Sequence, residues 1–577
     1  MNKAGRILLK LGSATKAVLA FFIVIVCASI NGFGQNQNLS GGTVFDGEPY
    51  LAIDPNNSHH LVVAWLGYVP LKKFIIKVRA SFDAGQTWSE PVPIPHSTSR
   101  FTSADPSLGF DAAGKVYLAY IDYDPRFTAG AVYVRQSTDG GLSWGDATEV
   151  INMASDPGKR PIDRPWMVID QSAGSHRGNI YITTMTAKGA SAPFHPYFIK
   201  STDQGASWRP WRYADTTGWL AGSIIPQPMA SPVVAANGTF HCVYSSWVLR
   251  QNLAPQYILA SSADAGRHFT YHTVFASSEV FSDSLAKKGY LLLADPANAH
   301  HLAFFYLAAP HGDADVFMRE SFDAGAGWSE PVRINDDPAG NDRMQDLLWA
   351  DFDRNGDLMV AWRDRRNAPD SGYATSSAIW GAFRSRDSSH FSSNFQISDT
   401  IVAYDSILAA AGNDFMCVRL REDTLYAVWG DVRTGKMNIW FQRMAVPSGA
   451  VVSTRPLSSE TIPTIPQLSQ NYPNPFSPAK AIPHSTVKNA GASAGRRMAQ
   501  TIIRYRLTES GEVRLVVYNL LGRAVRTLVQ QRQPAGSYAI RWDGRNEAGE
   551  PVPAGVYFYQ LRVIGKFQLT RKMLLLP

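Results

Sequence analysis

The chain has 577 residues, of which 45% are hydrophobic and only 18% are charged, so it can bury enough apolar surface for two or more globular domains. Its 45 glycines, 35 prolines and 11% aromatic residues favour short strands joined by tight turns over long helices. Three cysteines exclude a disulfide framework, and the sequence contains no Cys/His spacing typical of a zinc site.

The formal charge of +7 is unevenly distributed along the chain. Residues 1–35 carry +4, and residues 466–577 carry 16 basic and 5 acidic side chains, or +11, which leaves −8 for the residues between them. The basic character therefore belongs to the two ends. The main body lacks the basic surface of a nucleic-acid-binding protein.

The first 34 residues have the pattern of a secretory signal peptide. A basic start is followed by an uncharged apolar run from Ala17 to Ile30 and then by small residues, with cleavage expected just before Gln35. The apolar run is shorter than the roughly 20 residues that a membrane-spanning helix needs. We therefore expect a secreted mature chain without a transmembrane segment.

Residues 37–446 contain an internal repeat, whose clearest element is Ser81-Phe-Asp83-Ala-Gly85-Gln-Thr-Trp88. The same turn begins again at residues 137, 201, 262 and 321, and a degraded copy begins at 385. Its aspartate can accept hydrogen bonds from turn N–H groups, its glycine can take a positive φ, and its aromatic residue can fill the gap between neighbouring sheets. The period of 56 to 64 residues suits one four-stranded sheet per repeat.

The strand pattern contains seven first strands but six turns, and the last repeat lacks a fourth strand. Residues 38–46 could supply that strand and so pair the two ends of the ring. The repeated turn resembles the Asp box of the sialidase, or bacterial neuraminidase repeat, superfamily. This resemblance implies an all-β, sialidase-like β-propeller. Family members are six-bladed, which stays open as the alternative, whereas the strand count favours seven blades.

Residues 447–470 are rich in Pro, Ser and Thr and are predicted to form a linker. From 471 to 577, alternating apolar and polar residues broken by turn glycines predict a small β-sandwich. Asn471-Tyr-Pro473-Asn-Pro475-Phe476 and the closing Lys572-Met-Leu-Leu-Leu576 strand resemble the C-terminal sorting domain of type IX secretion cargo. Its immunoglobulin-like fold is also seen in flagellar hook-capping proteins.

The sorting-domain resemblance implies export through the type IX secretion machinery across the outer membrane of a Gram-negative cell, to the medium or the cell surface. One departure from the family is the insert from Lys480 to Gln500. A plain accessory module is the alternative to a sorting domain.

In a propeller, the loops that enter first strands and the loops that join second to third strands share one face. The repeated turns lie on the opposite face, so we expect a site away from them. Carboxylate, guanidinium and aromatic groups are those used in sugar recognition. At the starts of first strands, the candidate face carries Glu48, Asp105, Asp163, Arg164, Asp346 and Asp414. At the ends of second strands it carries Trp65, Tyr68, Asp122, Tyr123, Asp124, Trp247, Trp362, Arg363, Asp364, Arg365, Arg366, Trp429, Asp431 and Arg433.

A sialidase resemblance implies three arginines that hold a substrate carboxylate, an aspartate acid/base and a tyrosine nucleophile. The family's Arg-Ile-Pro run is replaced here by Glu48-Pro49-Tyr50, so one arginine is missing. The predicted catalytic residues are Asp105, Asp163 and Asp364, and the predicted substrate-binding residues are Arg164, Arg363, Arg365, Arg433, Trp362 and Trp65.

The structural alternative is that Arg363, Asp364 and Arg433 form ion pairs between neighbouring blades. The first-strand carboxylates could likewise bond backbone groups or hold a structural calcium; no other cofactor is predicted. The histidine pairs at 59–60 and 300–301 are expected to be surface turn residues. The sequence thus predicts a propeller that acts on or binds extracellular glycans or glycoproteins, with a non-catalytic adhesion or protein-binding propeller as the alternative.

Overall fold

The structure is a computed structural model that describes residues 35–69, 73–185, 193–215, 229–246, 256–276, 289–408, 412–446, 466–468, 471, 476, 501–533 and 536–576. The chain divides into two compact units, Met1–Thr454 and Arg455–Pro577. The predicted signal peptide, most of the predicted linker, Trp247 and the insert at 480–500 lie outside the described residues.

The described part of the first unit forms seven four-stranded antiparallel sheets. The opening strand, β1 (Gln37–Asn38), belongs to the seventh sheet. The first sheet contains β2 (Asp46–Asp54), β3 (Asn57–Val69), β4 (Lys73–Ser81) and β5 (Val92–Pro93). The second contains β6 (Thr102–Phe110), β7 (Val116–Tyr123), β8 (Gly130–Ser137) and β9 (Thr148–Asn152). The third contains β10 (Trp166–Ile169), β11 (Ile180–Thr184), β12 (Tyr197–Ser201) and β13 (Arg212–Tyr213).

The remaining four sheets follow in chain order. The fourth contains β14 (Ala230–Val234), β15 (Phe240–Ser246), β16 (Gln256–Ser262) and β17 (Thr270–Ala276). The fifth contains β18 (Tyr290–Ala294), β19 (Leu302–Ala308), β20 (Asp315–Ser321) and β21 (Val332–Arg333). The sixth contains β22 (Gln345–Phe352), β23 (Leu358–Asp364), β24 (Ala378–Arg384) and β25 (Phe395–Gln396). The seventh contains β26 (Cys417–Arg421), β27 (Thr424–Asp431), β28 (Asn438–Ala445) and β1.

The seven sheets are arranged in a closed ring, because the first strand of each sheet contacts the first strand of the next and β26 contacts β2. Two short 3-10 helices, Met153–Ser155 and Ser406–Leu408, are the only helices among the described residues. This all-β arrangement is that of propeller blades around an axis lined by first strands.

The N-terminal strand completes the last sheet. Gln37 pairs with Phe441 and Asn38 with Trp440, so β1 covers the free edge of β28. Further along, the backbone N–H of Asp46, in the first sheet, donates to the carbonyl oxygen of Met437, at 2.9 Å. A closing strand from the N-terminal end of the chain is therefore present, but it is Gln37–Asn38 and shares only Asn38 with the predicted residues 38–46. It covers an edge that would otherwise be open to pairing with other chains.

Each repeated Ser-Asp-Gly turn has the same hydrogen bonds. In the first sheet the Ser81 hydroxyl donates to Asp83 Oδ1 at 2.8 Å, and the Gly85 N–H donates to Ser81 Oγ at 2.8 Å. The backbone N–H of Thr87 donates to Asp83 Oδ1 at 2.8 Å. Hydrogen bonds from the Thr87 hydroxyl and backbone lower the pKa of Asp83 to about 2. These aspartates therefore serve the turn itself.

The turn glycine also packs each sheet against the preceding one. Gly85 has φ +84°, and a Cβ atom placed on it would lie 2.5 Å from Phe441 Cζ in the seventh sheet. At Gly266, in the fourth sheet, a Cβ atom would lie 2.2 Å from Phe198 in the third. Glycine is required here both for the left-handed backbone and for the close approach of the neighbouring sheet.

The second unit contains two antiparallel sheets, of three and four strands. The first contains β29 (Gln467–Leu468), β30 (Thr501–Leu507) and β33 (Gly536–Trp542), and the second contains β31 (Gly511–Asn519), β32 (Ala524–Gln533), β34 (Gly555–Val563) and β35 (Phe567–Leu575). Apolar side chains from both sheets, among them Ile503, Trp542 and Tyr559, form one core. Gln467–Leu468 was assigned to the linker from sequence, but it pairs with β30, so the sandwich begins earlier than expected.

Within the residues that the structure describes, no helix is long and apolar enough to cross a membrane.

Candidate functional site

The mouth of the ring is marked by residues with left-handed backbone at the starts of first strands. Glu48, Asp105, Arg164 and Leu347 have φ between +48° and +53°, which is rare for side chains other than glycine. In the first, second and sixth sheets the register of the strand pair shifts at the same place, as in a β-bulge. Backbone strain of this kind concentrates at functional sites, and three of the four strained residues carry charged side chains.

Arg164 lies at the centre of this group. Its Nη2 donates to Asp414 Oδ2 at 2.8 Å, and its backbone N–H donates to Asp105 Oδ2 at 3.4 Å. Burial alone would lower the pKa of Arg164, but the carboxyl groups of Asp414, Asp163 and Asp105 outweigh burial and raise it. The structure thus brings together three residues predicted from the sequence, Asp105, Asp163 and Arg164.

A tyrosine joins the same group from the second sheet. Burial raises the pKa of the Tyr123 phenol, and the nearby carboxyl groups of Asp105, Glu48 and Asp163 raise it further. Its ring is stacked on Phe127, with ring centroids 4.8 Å apart. Tyr123 therefore stays a neutral hydroxyl at physiological pH, able both to donate and to accept a hydrogen bond.

Below the charged residues, four aromatic rings from four different sheets meet on the axis of the ring. Trp166 lies 5.2 Å from Trp349, 5.3 Å from Phe415 and 5.7 Å from Tyr50, measured between ring centroids. The channel is consequently blocked by aromatic side chains. A ligand at the mouth would meet an aromatic floor.

A cavity lies against this floor, with an empty volume of about 440 Å³ that includes the open space at its mouth. Its lining includes Arg164, Trp166, Trp349 and Asp414. Trp166 Nε1, Trp349 Nε1 and Arg164 Nη1 are buried donors that have no hydrogen-bond partner among the described residues. Tyr290 also lines the cavity, but its hydroxyl donates to the Met229 carbonyl oxygen.

Two of the other predicted arginines are held by a single buried carboxylate. Arg363 Nε donates to Asp346 Oδ1 at 2.7 Å, and Arg365 Nη1 donates to the same oxygen at 3.2 Å. The Arg363 and Arg365 side chains are only 3% and 2% exposed. Burial would raise the pKa of Asp346, but the two guanidinium groups lower it below its ordinary value. Both arginines are thus occupied inside the protein.

Asp364 belongs to a buried structural motif. It accepts from Trp362 Nε1 at 2.6 Å and from Arg366 Nη2 at 2.9 Å, while the Arg366 guanidinium lies 4.2 Å from the centroid of the Trp380 ring. The other Asp364 oxygen, Oδ1, accepts from the Arg366 backbone N–H at 2.7 Å, so both carboxyl oxygens are engaged within the motif. This corrects the assignment of Asp364 as a candidate acid/base residue.

The same motif recurs in the seventh sheet. Asp431 accepts from Trp429 Nε1 at 2.9 Å and from Arg433 Nη2 at 2.6 Å, and the Arg433 guanidinium lies over Trp440. Arg433 also donates to Asp399 at 2.5 Å. An ion pair between sheets, the alternative weighed from the sequence, is therefore present for Arg433, which reaches Asp399 after the sixth sheet. Arg363 and Asp364 instead pair within the sixth sheet and its loop, with Asp346 and Arg366.

The predicted stacking residues are also corrected. Trp65 and Trp362 are fully buried, so neither has a face available to a sugar ring. Trp65 Nε1 instead donates to Asp46 Oδ1 at 2.9 Å. The aromatic residues that line the cavity beneath the mouth are Trp166 and Trp349, which were not among the predicted stacking residues.

A positional signal could have identified some of these aromatic residues. Tyr50 and Trp166 follow the left-handed residue of their strand by two positions, in Glu48-Pro-Tyr50 and Arg164-Pro-Trp166. Trp349 follows Leu347 by the same interval. Residues at this position point into the axis in three of the sheets.

The histidine pairs differ from the surface turn expected. His59 and His300 are exposed, but His60 and His301 are each only 6% exposed. His301 lies 2.8 Å from both Asp295 Oδ2 and Glu320 Oε1. Burial would lower the pKa of His301, but the two carboxylates outweigh it and raise it. Through such contacts the buried histidines hold neighbouring segments of the protein together.

Across the described residues, no group of three or more His, Cys, Asp or Glu side chains is arranged to hold a metal ion. The two described cysteines, Cys242 and Cys417, are buried free thiols.

Residues 495–565 match the family model described as FlgD Ig-like domain. This match covers most of the second unit and agrees with its two-sheet sandwich. A search of the curated proteins found no match.

Three solved structures illustrate what the fold is similar to. A Penicillium chrysogenum alpha-L-arabinanase is 12% identical with a TM-score of 0.39, covering 72% of this chain and 98% of its own. A leech intramolecular trans-sialidase is 11% identical with a TM-score of 0.35, covering 72% and 70%. PorZ, a surface component of the type IX secretion system of Porphyromonas gingivalis, is 11% identical with a TM-score of 0.34, covering 90% and 58%. None of these similarities determines what the present chain binds.

Proposed function

We propose that this chain is a secreted seven-bladed, sialidase-like β-propeller that binds extracellular glycans at the mouth of its channel. In this proposal the seven sheets are the blades, and the Ser-Asp-Gly turns are Asp boxes. The single observation that carries the proposal is the group of charged residues at strained first-strand positions, Glu48, Asp105 and Arg164, above an aromatic floor.

The chemistry of the mouth favours hydroxylated ligands. Carboxyl groups accept hydrogen bonds from sugar hydroxyls, and the phenol of Tyr123 can donate or accept. Three carboxyl groups, those of Asp105, Asp163 and Asp414, act on the one guanidinium of Arg164, and Glu48 adds a fourth carboxyl group near Tyr123. That excess of acidic groups disfavours capture of a sugar carboxylate.

The ion pairs of the predicted arginines support glycan binding without sialidase-type turnover. A sialidase needs convergent arginines, whereas Arg363, Arg365 and Arg433 are engaged by Asp346, Asp399 and Asp431. The Asp105 and Asp163 carboxyl groups are the remaining candidates for acid/base work at the mouth.

The second unit is proposed to be a type IX secretion sorting domain. The two-sheet sandwich and the match to the FlgD Ig-like description support this role, together with the predicted signal peptide at residues 1–34. The protein would then reach the medium or the outer-membrane surface, where extracellular glycans or glycoproteins are its partners.

The test uses the full mature chain on a glycan array and on a panel of aryl glycosides that includes a sialoside. We expect glycan binding that Asp105→Asn and Asp163→Asn each weaken at least about tenfold, the value of one charge-assisted hydrogen bond. The matched control is Asp387→Asn, because the Asp387 side chain is 87% exposed and far along the chain from the mouth residues. Glycan binding that is unchanged in both mouth variants would reject the site. Absence of glycan binding by the unmodified chain would reject the function.

A further inference from the structure

The cavity beneath the mouth contains buried donors without acceptors. Trp166 Nε1, Trp349 Nε1 and Arg164 Nη1 belong to three of its lining residues, and none has a hydrogen-bond partner among the described residues. Leaving a buried donor without a partner costs free energy, so native proteins pair such groups with protein, water or ligand. An acceptor in this cavity would remove that cost.

Other indole N–H groups are also buried without a partner, but they differ in their location. Trp88, Trp144 and Trp208 belong to Ser-Asp-Gly turns, and Trp380 and Trp440 lie under the guanidinium groups of Arg366 and Arg433. None of these five lines this cavity. At the axis, two such indoles and a guanidinium N–H line the same cavity. The combination points to a binding position and not to a general feature of tryptophans in this fold.

The character of the acceptor follows from the surroundings. An anion would be drawn to Arg164 but repelled by Asp414, Asp163 and Asp105, which all act on that guanidinium. A purely apolar group would leave the three donors unpaired. A neutral hydroxyl suits both conditions, because its oxygen can accept from two of the donors and its O–H can donate to a carboxyl group.

The size of the cavity limits what can enter. The cavity has room for about one or two water-sized groups, and the rest of its empty volume includes open solvent. Apolar atoms of Leu348 and Phe415 also line it, so a short apolar linker would be in contact with hydrocarbon. A hydroxymethyl arm, with one CH₂ and one hydroxyl, has this size and polarity.

We propose that the axial cavity is a specificity pocket that takes the hydroxymethyl arm of a neutral hexopyranose at the end of a glycan. The inference rests on the proposed glycan-binding function and narrows its ligand class. The sugar ring would lie at the mouth, where Asp105 and Asp163 accept from ring hydroxyls, and the arm would reach Trp166 and Trp349.

The first test changes only the ligand. The full mature chain is titrated with galactose- and glucose-terminated oligosaccharides and with their 6-deoxy counterparts, which lack the arm hydroxyl. We expect the 6-deoxy compounds to bind about tenfold more weakly for the better hexose, because the donors are again left unpaired. Equal affinity for the two forms would overturn the proposal, as would preferential binding of sialylated or uronate-terminated glycans.

The second test changes only the indole N–H groups. Trp166→Phe and Trp349→Phe should each reduce the preference for the hexose over its 6-deoxy form, whereas Trp144→Phe, which removes an unpaired indole N–H in a Ser-Asp-Gly turn, should preserve it. If Trp166→Phe and Trp349→Phe keep the full preference, the cavity holds only water and the proposal fails. Glycan binding that Asp105→Asn still weakens would in that case leave the proposed function standing.

Discussion

Arg164 donates from Nη2 to Asp414 Oδ2 at 2.8 Å, and this ion pair joins the start of the third sheet to the start of the seventh. These sheets are not neighbours in the ring, so the contact lies across the channel. Trp166 lies two residues after Arg164, and Phe415 lies directly after Asp414. The rings of Trp166 and Phe415 contact each other below the ion pair, with centroids 5.3 Å apart. The residues at the starts of β10 and β26 therefore supply both an ion pair at the mouth and two of the aromatic rings beneath it.

Removing one partner of this pair should destabilise the fold. The side chains of Arg164 and Asp414 are 12% and 20% exposed, so Asp414→Asn leaves a largely buried guanidinium with weaker compensation. We expect a loss of about 3 kcal/mol in the free energy of unfolding, measured by urea denaturation. The double variant Arg164→Met, Asp414→Leu should recover part of that loss. Equal stability of the unmodified chain and Asp414→Asn would show that the pair contributes nothing.

Closure of the ring depends on a glycine contact between the first and seventh sheets. Gly85→Ala would place a Cβ atom 2.5 Å from Phe441 Cζ, so the substitution should cost about 1–3 kcal/mol beyond the cost of the left-handed backbone. Gly435→Ala is the matched control, because Gly435 has φ +76° and no atom within 4 Å of the added Cβ. Thermal unfolding of both variants measures the difference, and Phe441→Leu should partly rescue Gly85→Ala. Identical melting temperatures for the two alanine variants would contradict the contact.

The N-terminal strand should protect the seventh sheet from self-association. A mature chain that begins at Gly41 lacks β1 and leaves the edge of β28 open. We expect this variant to melt at a lower temperature and to form oligomers, detected by size-exclusion chromatography with light scattering. A monomer of unchanged melting temperature would mean that the strand is dispensable.

A buried neutral histidine should make the protein sensitive to acid. His241 is 1% exposed, and burial lowers its pKa from 6.5 to about 4. Between these values the unfolded chain binds a proton that the folded chain does not, so the free energy of unfolding decreases as the pH falls from 6.5 to 4. At 1.36 kcal/mol per pKa unit, this histidine accounts for roughly 3 kcal/mol.

Urea denaturation at pH 7 and at pH 4 tests this sign directly. His241→Leu should lose about 3 kcal/mol less than the unmodified chain over that interval, because the variant removes the proton uptake of the unfolded state. Parallel pH profiles for the two proteins would show that His241 is not buried in its neutral form.

Much of the fold could be predicted because its signals are local. The Ser-Asp-Gly turn places its serine, aspartate and glycine within five residues, so the sequence alone indicates which groups bond one another. The unpaired last repeat likewise required a strand from the other end of the chain, which β1 supplies. Patterns of this kind do not depend on knowledge of distant contacts.

The site could be predicted only in part, because its geometry depends on distant partners. The sequence places Arg363 and Arg365 at the end of a second strand, but only the pairing with β22 brings Asp346 between them. The recurrence of Trp362-Arg-Asp364-Arg-Arg366 as Trp429-Gly-Asp431-Val-Arg433 was a visible signal of a structural role, since a substrate site would not be expected to occur twice.

The most direct test of the central claim is a crystal structure of the mature chain soaked with its best glycan from the array. The account predicts sugar density at the channel mouth, with hydroxyls within hydrogen-bond distance of Asp105 and Asp163 and an arm directed toward Trp166. Density on the opposite face, against the Ser-Asp-Gly turns, or beside Arg433 would contradict it.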